Sequence, residues 1–106
     1  MILYLDTSAL VKMYVDEEDA PRVRAAVSDA NVVGTSEIAY VELRSALARR
    51  ARDGSLDRSA YRRALRDVEA DWPQLFLITI DNRLVHDAGD IAERYRLRAC
   101  DAIHLA

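Results

Sequence analysis

The sequence predicts an α/β protein in three layers, α/β/α, with a parallel sheet between two layers of helices. Three short apolar runs, residues 2–5, 32–35 and 75–80, have the continuous hydrophobicity of buried parallel strands. Helical segments separate them, and strands that alternate with helices favour a parallel sheet. The chain has 106 residues and no linker rich in glycine, serine or proline, so we expect a single domain.

The first two helices follow the first strand. The strand at residues 2–5 is followed by Asp6, after which Thr7 or Ser8 can cap a short helix that runs to about residue 14. Asp19 lies just before Ala-Pro, and proline is favoured in the first turn of a helix. A second helix therefore begins close to Asp19.

The middle of the chain predicts a strand and two longer helices. After a turn, residues 32–35 form the second strand, and Ser36 is a plausible cap for a helix that ends near residues 53–54, Asp-Gly. Asp57, or the serine two positions before it, starts another helix that runs to about residue 71.

The last third repeats the alternation. Trp-Pro at residues 72–73 ends the preceding helix, and residues 75–80 form the third strand. Asp81 caps a helix to about residue 96, and after a short connector we expect Asp101 to open a final helix.

Composition excludes several classes of protein. An apolar fraction of 51% and a charged fraction of 31% are typical of a globular chain, and no apolar stretch is long enough to span a bilayer. With no secretion signal and a single cysteine, Cys100, we expect a cytoplasmic location. One cysteine and two histidines argue against a zinc site of thiolates and imidazoles, so we expect any metal to be held by oxygen.

Charge is distributed unevenly along the chain. Residues 44–66 carry eight arginines and two aspartates, a charge of +6, so the remainder carries −9 within a total of −3. This arginine-rich segment is either a solvated helical face or a surface that binds phosphate, since the guanidinium fork matches phosphate geometry.

Asp6 and Glu42 are the first two candidate functional acids. Ligands of open parallel sheets bind at the carboxyl ends of the strands, where Asp6 lies, although an aspartate there is most often a helix cap. On the long helix Glu42 shares a stripe with Ile38 and Ala46, which we expect to face inward together with Val41. A carboxylate beside the core needs either a cation or a partner, such as Arg49 or a tyrosine hydroxyl.

Asp101 is the third acid, and it is either a simple cap or a functional carboxylate. The start of its helix points toward the sheet edge where Asp6 lies. Three carboxylates from separate elements that converge at one edge would make an oxygen site suited to Mg²⁺ or Mn²⁺. Without a cation such a cluster would repel itself.

Three blocks of the sequence resemble the PIN-domain ribonucleases, and especially the toxins of virulence-associated (VapBC-type) toxin–antitoxin pairs. The blocks are LDTSAL, SEIAYVELRSALARR and LRACDAIHLA, and the resemblance spans nearly the whole chain in order and spacing. The resemblance implies a metal-dependent endoribonuclease whose divalent metal, Mg²⁺ or Mn²⁺, is held by Asp6, Glu42 and Asp101. It also implies that the hydroxyls of Ser8 and Thr7 lie near that metal.

The resemblance further implies an RNA substrate, an antitoxin partner that inserts near the acids, and a homodimer formed largely through helices. Arg44 and Arg49 on the long helix would then bind RNA phosphates. The family's strand order is 3-2-1-4-5, and only the first three strands are expected in this chain. We therefore expect the chain to lack C-terminal strands and a helix, and to expose the apolar edge of its first strand.

Other classes of protein fit less well. A phosphatase of the haloacid dehalogenase class would have a second acid where Ser8 stands, and a response-regulator receiver would have a late lysine, whereas Lys12 is the only lysine. The remaining alternative is a catalytically incompetent PIN-like fragment that dimerises or binds an antitoxin. Binding of Mn²⁺ distinguishes that module from an enzyme.

Several other side chains have simpler interpretations. We expect His104 to be packed and hydrogen-bonded rather than a general base, and His86 to lie at the surface. Tyr40 and Trp72 are expected in the core, and Cys100 is expected to be a small buried hydrophobic residue.

Overall fold

The computed structural model describes residues 2–106 as three strands, six α-helices and one short 3-10 helix. In chain order these are β1 (Ile2–Tyr4), α1 (Thr7–Val11), α2 (Ala20–Asp29), β2 (Val32–Ser36), α3 (Ile38–Asp53), α4 (Arg58–Asp71), the 3-10 helix (Trp72–Gln74), β3 (Phe76–Ile78), α5 (Asn82–Tyr95) and α6 (Ala99–Leu105). Strands and helices alternate as the sequence predicts.

The three strands form one parallel sheet in the order β1-β2-β3. Leu3 lies opposite Val33, and Thr35 lies opposite Leu77, so these side chains share one face of the sheet. The predicted α/β class, the parallel pairing and the 3-2-1 part of the strand order are confirmed.

One face of the sheet and the first four helices share the main core. Leu10 from α1, Leu43 and Leu47 from α3, and Val68 from α4 are all at most 2% exposed. Leu3 and Val33 pack against this cluster from the sheet, as do Val23 and Val27 from α2. Burial of these side chains is the main favourable contribution to folding.

The second layer of helices covers only part of the opposite face. Helix α5 packs against α6, and α6 contacts β2. Beside them the apolar side chains of Ile2 and Phe76 remain 80% and 66% exposed. Within residues 2–106, β1 pairs only with β2, so the predicted exposure of the first strand is confirmed.

All three predicted strand boundaries need correction. The first strand ends at Tyr4, the second extends to Ser36, and the third is Phe76–Ile78 rather than residues 75–80. The register explains the third strand, because Ile78 pairs with the last residue of β2 and the residues after it meet no strand.

Helix starts are predicted best where an aspartate precedes the helix. The side chains of Asp57 and Asp81 accept hydrogen bonds from Ala60 N and Leu84 N, both at 2.8 Å, so these two predicted caps are confirmed. Asp19 precedes α2, but its backbone is left-handed (φ 68°) and its side chain makes no capping bond.

Two other helix starts differ from the prediction. Helix α1 is capped by Asp6, not by Thr7 or Ser8, and it ends at Val11 instead of near residue 14. Helix α3 begins at Ile38, whose N–H donates to the Ser36 hydroxyl over a long 3.4 Å.

The prediction that Asp101 opens the final helix is wrong. Helix α6 begins at Ala99, and the extended Arg98 precedes it. The carbonyl of Arg98 accepts the N–H of Ala102 at 3.0 Å, which draws Ala99 and Cys100 into the first turn. Asp101 therefore lies inside that turn. Between residues 2 and 106, none of the helices has the length and hydrophobicity required to cross a membrane.

Candidate active site

An open cavity of about 1390 Å³ lies beside the carboxyl end of β1. Residues from α1, α3 and α6 line it, because these three helices follow or pack against the same end of the sheet. All three predicted acids, Asp6, Glu42 and Asp101, lie on its wall. The structure therefore brings them to one cavity, as the positions of the elements predict.

Asp6 has one structural role that is directly visible. Its Oδ1 accepts the backbone N–H of Ala9 at 3.0 Å and caps α1. A carboxylate has two oxygens with several lone pairs, so capping leaves acceptor capacity on a side chain that borders the cavity. The capping and functional interpretations of Asp6 are compatible.

Glu42 is the most constrained of the three acids. Its Oε1 accepts a hydrogen bond from the Thr7 hydroxyl at 2.6 Å, and Nε2 of His104 lies 2.7 Å from the same oxygen. The Glu42 side chain is 24% exposed and that of His104 is 9% exposed. Neither Arg49 nor a tyrosine hydroxyl is its partner among these contacts; Thr7 and His104 take that place.

The environment of Glu42 favours its ionised form. Burial acts to raise its pKa, but hydrogen bonds from Thr7 and His104 outweigh burial, with help from the His104 charge and the Cys100 thiol, and the pKa lies below its usual value. Burial and the Glu42 carboxylate raise the pKa of Cys100, which keeps that thiol protonated. Cys100 is thus a partner of Glu42 and only half-buried, not the buried hydrophobic residue that we predicted.

Asp101 lies at the cavity wall and is largely open to solvent. Its side chain is 58% exposed and forms an ion pair with Arg98 at 3.7 Å. Across the described chain, residues 2–106, no three acidic, histidine or cysteine side chains are close enough to hold a metal together. The predicted convergence of three carboxylates into one cluster is therefore not present in this arrangement, because each acid is engaged by a different partner and like charges repel.

The donor chemistry of the cavity nevertheless fits a hard divalent cation. Three carboxylates line it, and the nearest imidazole and thiol, those of His104 and Cys100, both face Glu42. Oxygen donors are those that Mg²⁺ and Mn²⁺ prefer. The ion pair between Arg98 and Asp101 is exposed, and such surface pairs contribute little to stability.

The family model of the PIN domain matches residues 3–106 of the chain. The chain belongs to the PIN-domain family. This confirms the family that the three sequence blocks indicate.

Within the PIN-domain family the chain is VapC-like. It is 33% identical over 105 residues to ribonuclease VapC45 of Mycobacterium tuberculosis (strain CDC 1551 / Oshkosh), in an alignment that covers 99% of the chain and 73% of that protein. Ribonuclease VapC46 of strain ATCC 25618 / H37Rv is 34% identical over 104 residues, with 98% and 72% covered.

The fold is also similar to that of a solved structure. A chain of a toxin–antitoxin complex from Klebsiella pneumoniae superposes with a TM-score of 0.68 and 19% sequence identity, over 97% of this chain and 74% of that one. At this identity the likeness establishes the fold alone.

The hydroxyls of this PIN domain are not equivalent. Thr7 is half-buried and donates to Glu42, whereas Ser8 is an exposed residue of the cavity wall.

Val41 on α3 is 68% exposed, so its predicted inward orientation is wrong. The buried stripe of α3 is instead Ala39, Leu43 and Leu47, each four positions apart, and Glu42 borders this stripe.

The two arginines predicted to bind RNA lie in different places. Arg49 is exposed and lines the cavity. Arg44 lies outside the cavity lining, where its guanidinium donates to the Tyr40 hydroxyl at 2.8 Å and lies 3.7 Å from Glu69.

Tyr40 packs edge-on against Trp72 with ring centroids 5.2 Å apart, which confirms that both rings pack against the core.

Sequence reasoning missed a charged cluster on the cavity wall. Glu17 pairs with Arg50 and, at 3.4 Å, with Lys12. All three residues line the same cavity as Asp6. The pairing of Glu17 with Lys12, five positions earlier, has no periodic signature in the sequence.

Sequence reasoning also missed Tyr4 as part of the site. Its hydroxyl lies 2.7 Å from Nδ1 of His104, and burial, followed by the charge of Asp6, raises the pKa of Tyr4. His104 is packed and hydrogen-bonded as predicted, and His86 is exposed as predicted.

Proposed function

We propose that this PIN domain is an endoribonuclease toxin that hydrolyses RNA phosphodiester bonds with a divalent metal, Mg²⁺ or Mn²⁺. The observation that carries the proposal is the single cavity whose wall contains Asp6, Glu42 and Asp101. The ribonuclease VapC relatives, 33–34% identical over nearly the whole chain, support the same activity.

Each acid has a defined part in this proposal. Asp6, Glu42 and Asp101 would hold the cation, and Thr7 with Ser8 would lie beside it. When bound, such a cation supplies a water of lowered pKa and positive charge against the phosphate. Thr7 and His104 keep the Glu42 carboxylate ionised, and therefore able to bind a cation, through the contacts already described.

Arg49 is the best-placed residue to bind the RNA backbone. It is exposed on the cavity wall, and its guanidinium fork suits phosphate oxygens. RNA binding by Arg44 stays a prediction. Its contacts to Tyr40 and Glu69 would have to be released before it could bind a phosphate.

The alternative, a PIN-like fragment that binds an antitoxin without catalysing hydrolysis, is not favoured. It requires the acids of the cavity wall to be without function, although the sequence retains them in the blocks that resemble ribonucleases. Titration calorimetry with Mn²⁺ discriminates the two: a non-catalytic module would give no heat.

The decisive experiment replaces Asp6 by asparagine. Asparagine caps helices as well as aspartate does, so Asp6→Asn preserves α1 and removes only the charge. We expect cleavage of a fluorescent structured RNA in Mg²⁺ or Mn²⁺ to fall by at least about 100-fold, with an unchanged melting temperature. We expect chelation by EDTA to abolish cleavage by the unmodified protein.

The matched control is Asp57→Asn, since Asp57 caps α4 in the same way and lies outside the cavity lining. This variant should cleave like the unmodified protein. Cleavage by Asp6→Asn at the unmodified rate would contradict the proposal.

We also propose a protein partner, a VapB-like antitoxin with a basic segment directed at the acids of the cavity. The charge of −9 outside residues 44–66 is compatible with such a partner. Homodimerisation through the helices and a cytoplasmic location stay predictions.

A further inference from the structure

Four side chains form a continuous chain of hydrogen-bond contacts along the cavity wall. The Tyr4 hydroxyl lies 2.7 Å from Nδ1 of His104, and Nε2 of His104 lies 2.7 Å from Oε1 of Glu42. The Thr7 hydroxyl donates to the same Oε1 at 2.6 Å and lies 3.2 Å from Nε2. Tyr4 and His104 are 100 positions apart, so the chain of contacts ties the start of the sheet to the last helix.

The chemistry of the acceptors fixes the direction of these bonds. An ionised carboxylate only accepts, so Nε2 of His104 must carry the proton that it shares with Glu42. With Nε2 directed at Glu42, Nδ1 is the ring nitrogen that pairs with the Tyr4 hydroxyl. Tyr4 thus fixes the orientation of the ring whose Nε2 contacts Glu42.

Helix α6 presents one face to the Glu42 carboxylate. Cys100 and His104 are four positions apart, hence on that face. Nε2 of His104 lies 2.7 Å from Glu42, and the charge of Glu42 contributes to the raised pKa of Cys100. His104 is nearly buried, whereas Glu42 keeps a quarter of its side-chain surface exposed at the cavity. The histidine therefore has little freedom to move, and the carboxylate that it contacts borders the open cavity.

We propose that Tyr4 and His104 are positioning residues, which hold the Glu42 carboxylate in the orientation from which it binds the cation. The inference rests on the proposed function, because it assigns a role toward the metal that Asp6, Glu42 and Asp101 would hold. Partners that orient a ligand typically change metal affinity or activity by about 10- to 100-fold when they are removed. Neither residue touches the substrate or the metal in this role.

Two substitutions of His104 separate positioning from packing. The amide nitrogen of glutamine reaches the place of Nε2, so His104→Gln retains the donor to Glu42. The amide of asparagine reaches only the place of Nδ1, so His104→Asn retains a partner for Tyr4 and loses the bond to Glu42. Both replacements are polar and neutral, but glutamine also fills more of the volume of histidine than asparagine does. The melting temperature of each variant is therefore measured as well, because a packing role predicts that Mn²⁺ affinity falls in step with stability, whereas a positioning role predicts a loss of affinity beyond it.

The measurements are Mn²⁺ affinity by titration calorimetry and RNA cleavage by the full chain. We expect His104→Asn to weaken Mn²⁺ binding by about 10-fold or more, and His104→Gln to recover most of that loss. Tyr4→Phe, which removes one exposed hydroxyl, should weaken binding less in the unmodified chain. In the His104→Asn background the Tyr4→Phe substitution should have no further effect on Mn²⁺ binding, since the contact between residue 104 and Glu42 is already lost.

His86 and Tyr95 provide matched controls, because both are exposed on α5 and neither lines the cavity. His86→Asn and Tyr95→Phe should leave Mn²⁺ affinity unchanged. If the unmodified protein binds Mn²⁺ and His104→Asn binds it equally well, the positioning role is wrong and the proposed function stands. If the unmodified protein neither binds Mn²⁺ nor cleaves RNA, the proposed function fails and the positioning role fails with it.

Discussion

At the scale of single residues, burial on α3 differs sharply between neighbours. Leu43 is completely buried in the main core, whereas Val41, two positions earlier, is 68% exposed. Truncation of Leu43 to alanine should leave a cavity among Leu10, Leu47 and Val68, with an expected cost of about 2–5 kcal/mol in the free energy of unfolding. Chemical denaturation measures this loss directly.

Val41→Ala is the control for that substitution. An exposed side chain contributes little, so we expect a change of about 0.5 kcal/mol or less. Equal losses for the two variants would show that Val41 is buried as the sequence first indicates, and would contradict the orientation of α3.

The limits of sequence reasoning are visible at these same residues. Helix α3 has apolar residues on two stripes, one through Ile38 and Val41 and another through Leu43 and Leu47, so periodicity alone does not choose between them. Glu42 was identified because it borders either stripe. The contact between His104 and Tyr4 was missed, since a separation of 100 positions leaves no local pattern.

At the scale of whole elements, capping chemistry explains which helix starts could be predicted. Asp57 and Asp81 have extended backbones and side chains that bind the third N–H of the helix, which is a local property. Asp101 has the same residue type, but α6 begins two positions before it. The side chains of Ala99 and Cys100 do not compete for backbone hydrogen bonds as those of serine, aspartate and asparagine do, so both residues can join the helix. Residue type alone does not place the first turn.

Removal of a cap should destabilise the protein by a predictable amount. Asp81→Ala deletes the bond to Leu84 N and should cost about 1 kcal/mol. For a domain of this size that is a decrease of roughly 4–8 °C in melting temperature, measurable by calorimetry. Asp81→Asn preserves the cap and should melt like the unmodified protein; a comparable decrease in that variant would mean that capping is not the cause.

At the scale of the whole molecule, the two faces of the sheet are unequal. One face is buried by α1 to α4, while Ile2, Val32, Phe76 and Ile78 on the other are between 38% and 80% exposed. The sequence predicts the strands and their parallel order, because both depend on local hydrophobic runs and on alternation with helices. It does not predict how completely each face is covered, since coverage depends on where α5 and α6 pack.

An exposed apolar sheet face should promote self-association of the chain. Burial of one large apolar side chain at a contact contributes about 1.5–3 kcal/mol, or roughly 10- to 100-fold in a dissociation constant. We therefore expect Phe76→Thr to weaken concentration-dependent association by about 10-fold or more, and to lower the fluorescence of a hydrophobic dye. Sedimentation velocity over a range of concentrations measures the first effect.

Val85→Thr provides the comparison, because Val85 is 49% exposed on α5 and belongs to a helix instead of the sheet. If the sheet face mediates association, Val85→Thr should associate like the unmodified chain. If Val85→Thr weakens association and Phe76→Thr does not, the copies meet through helices, as the family resemblance implies, and the exposed sheet face has no part in the contact. Threonine is favoured in strands, so Phe76→Thr tests exposure without disrupting β3.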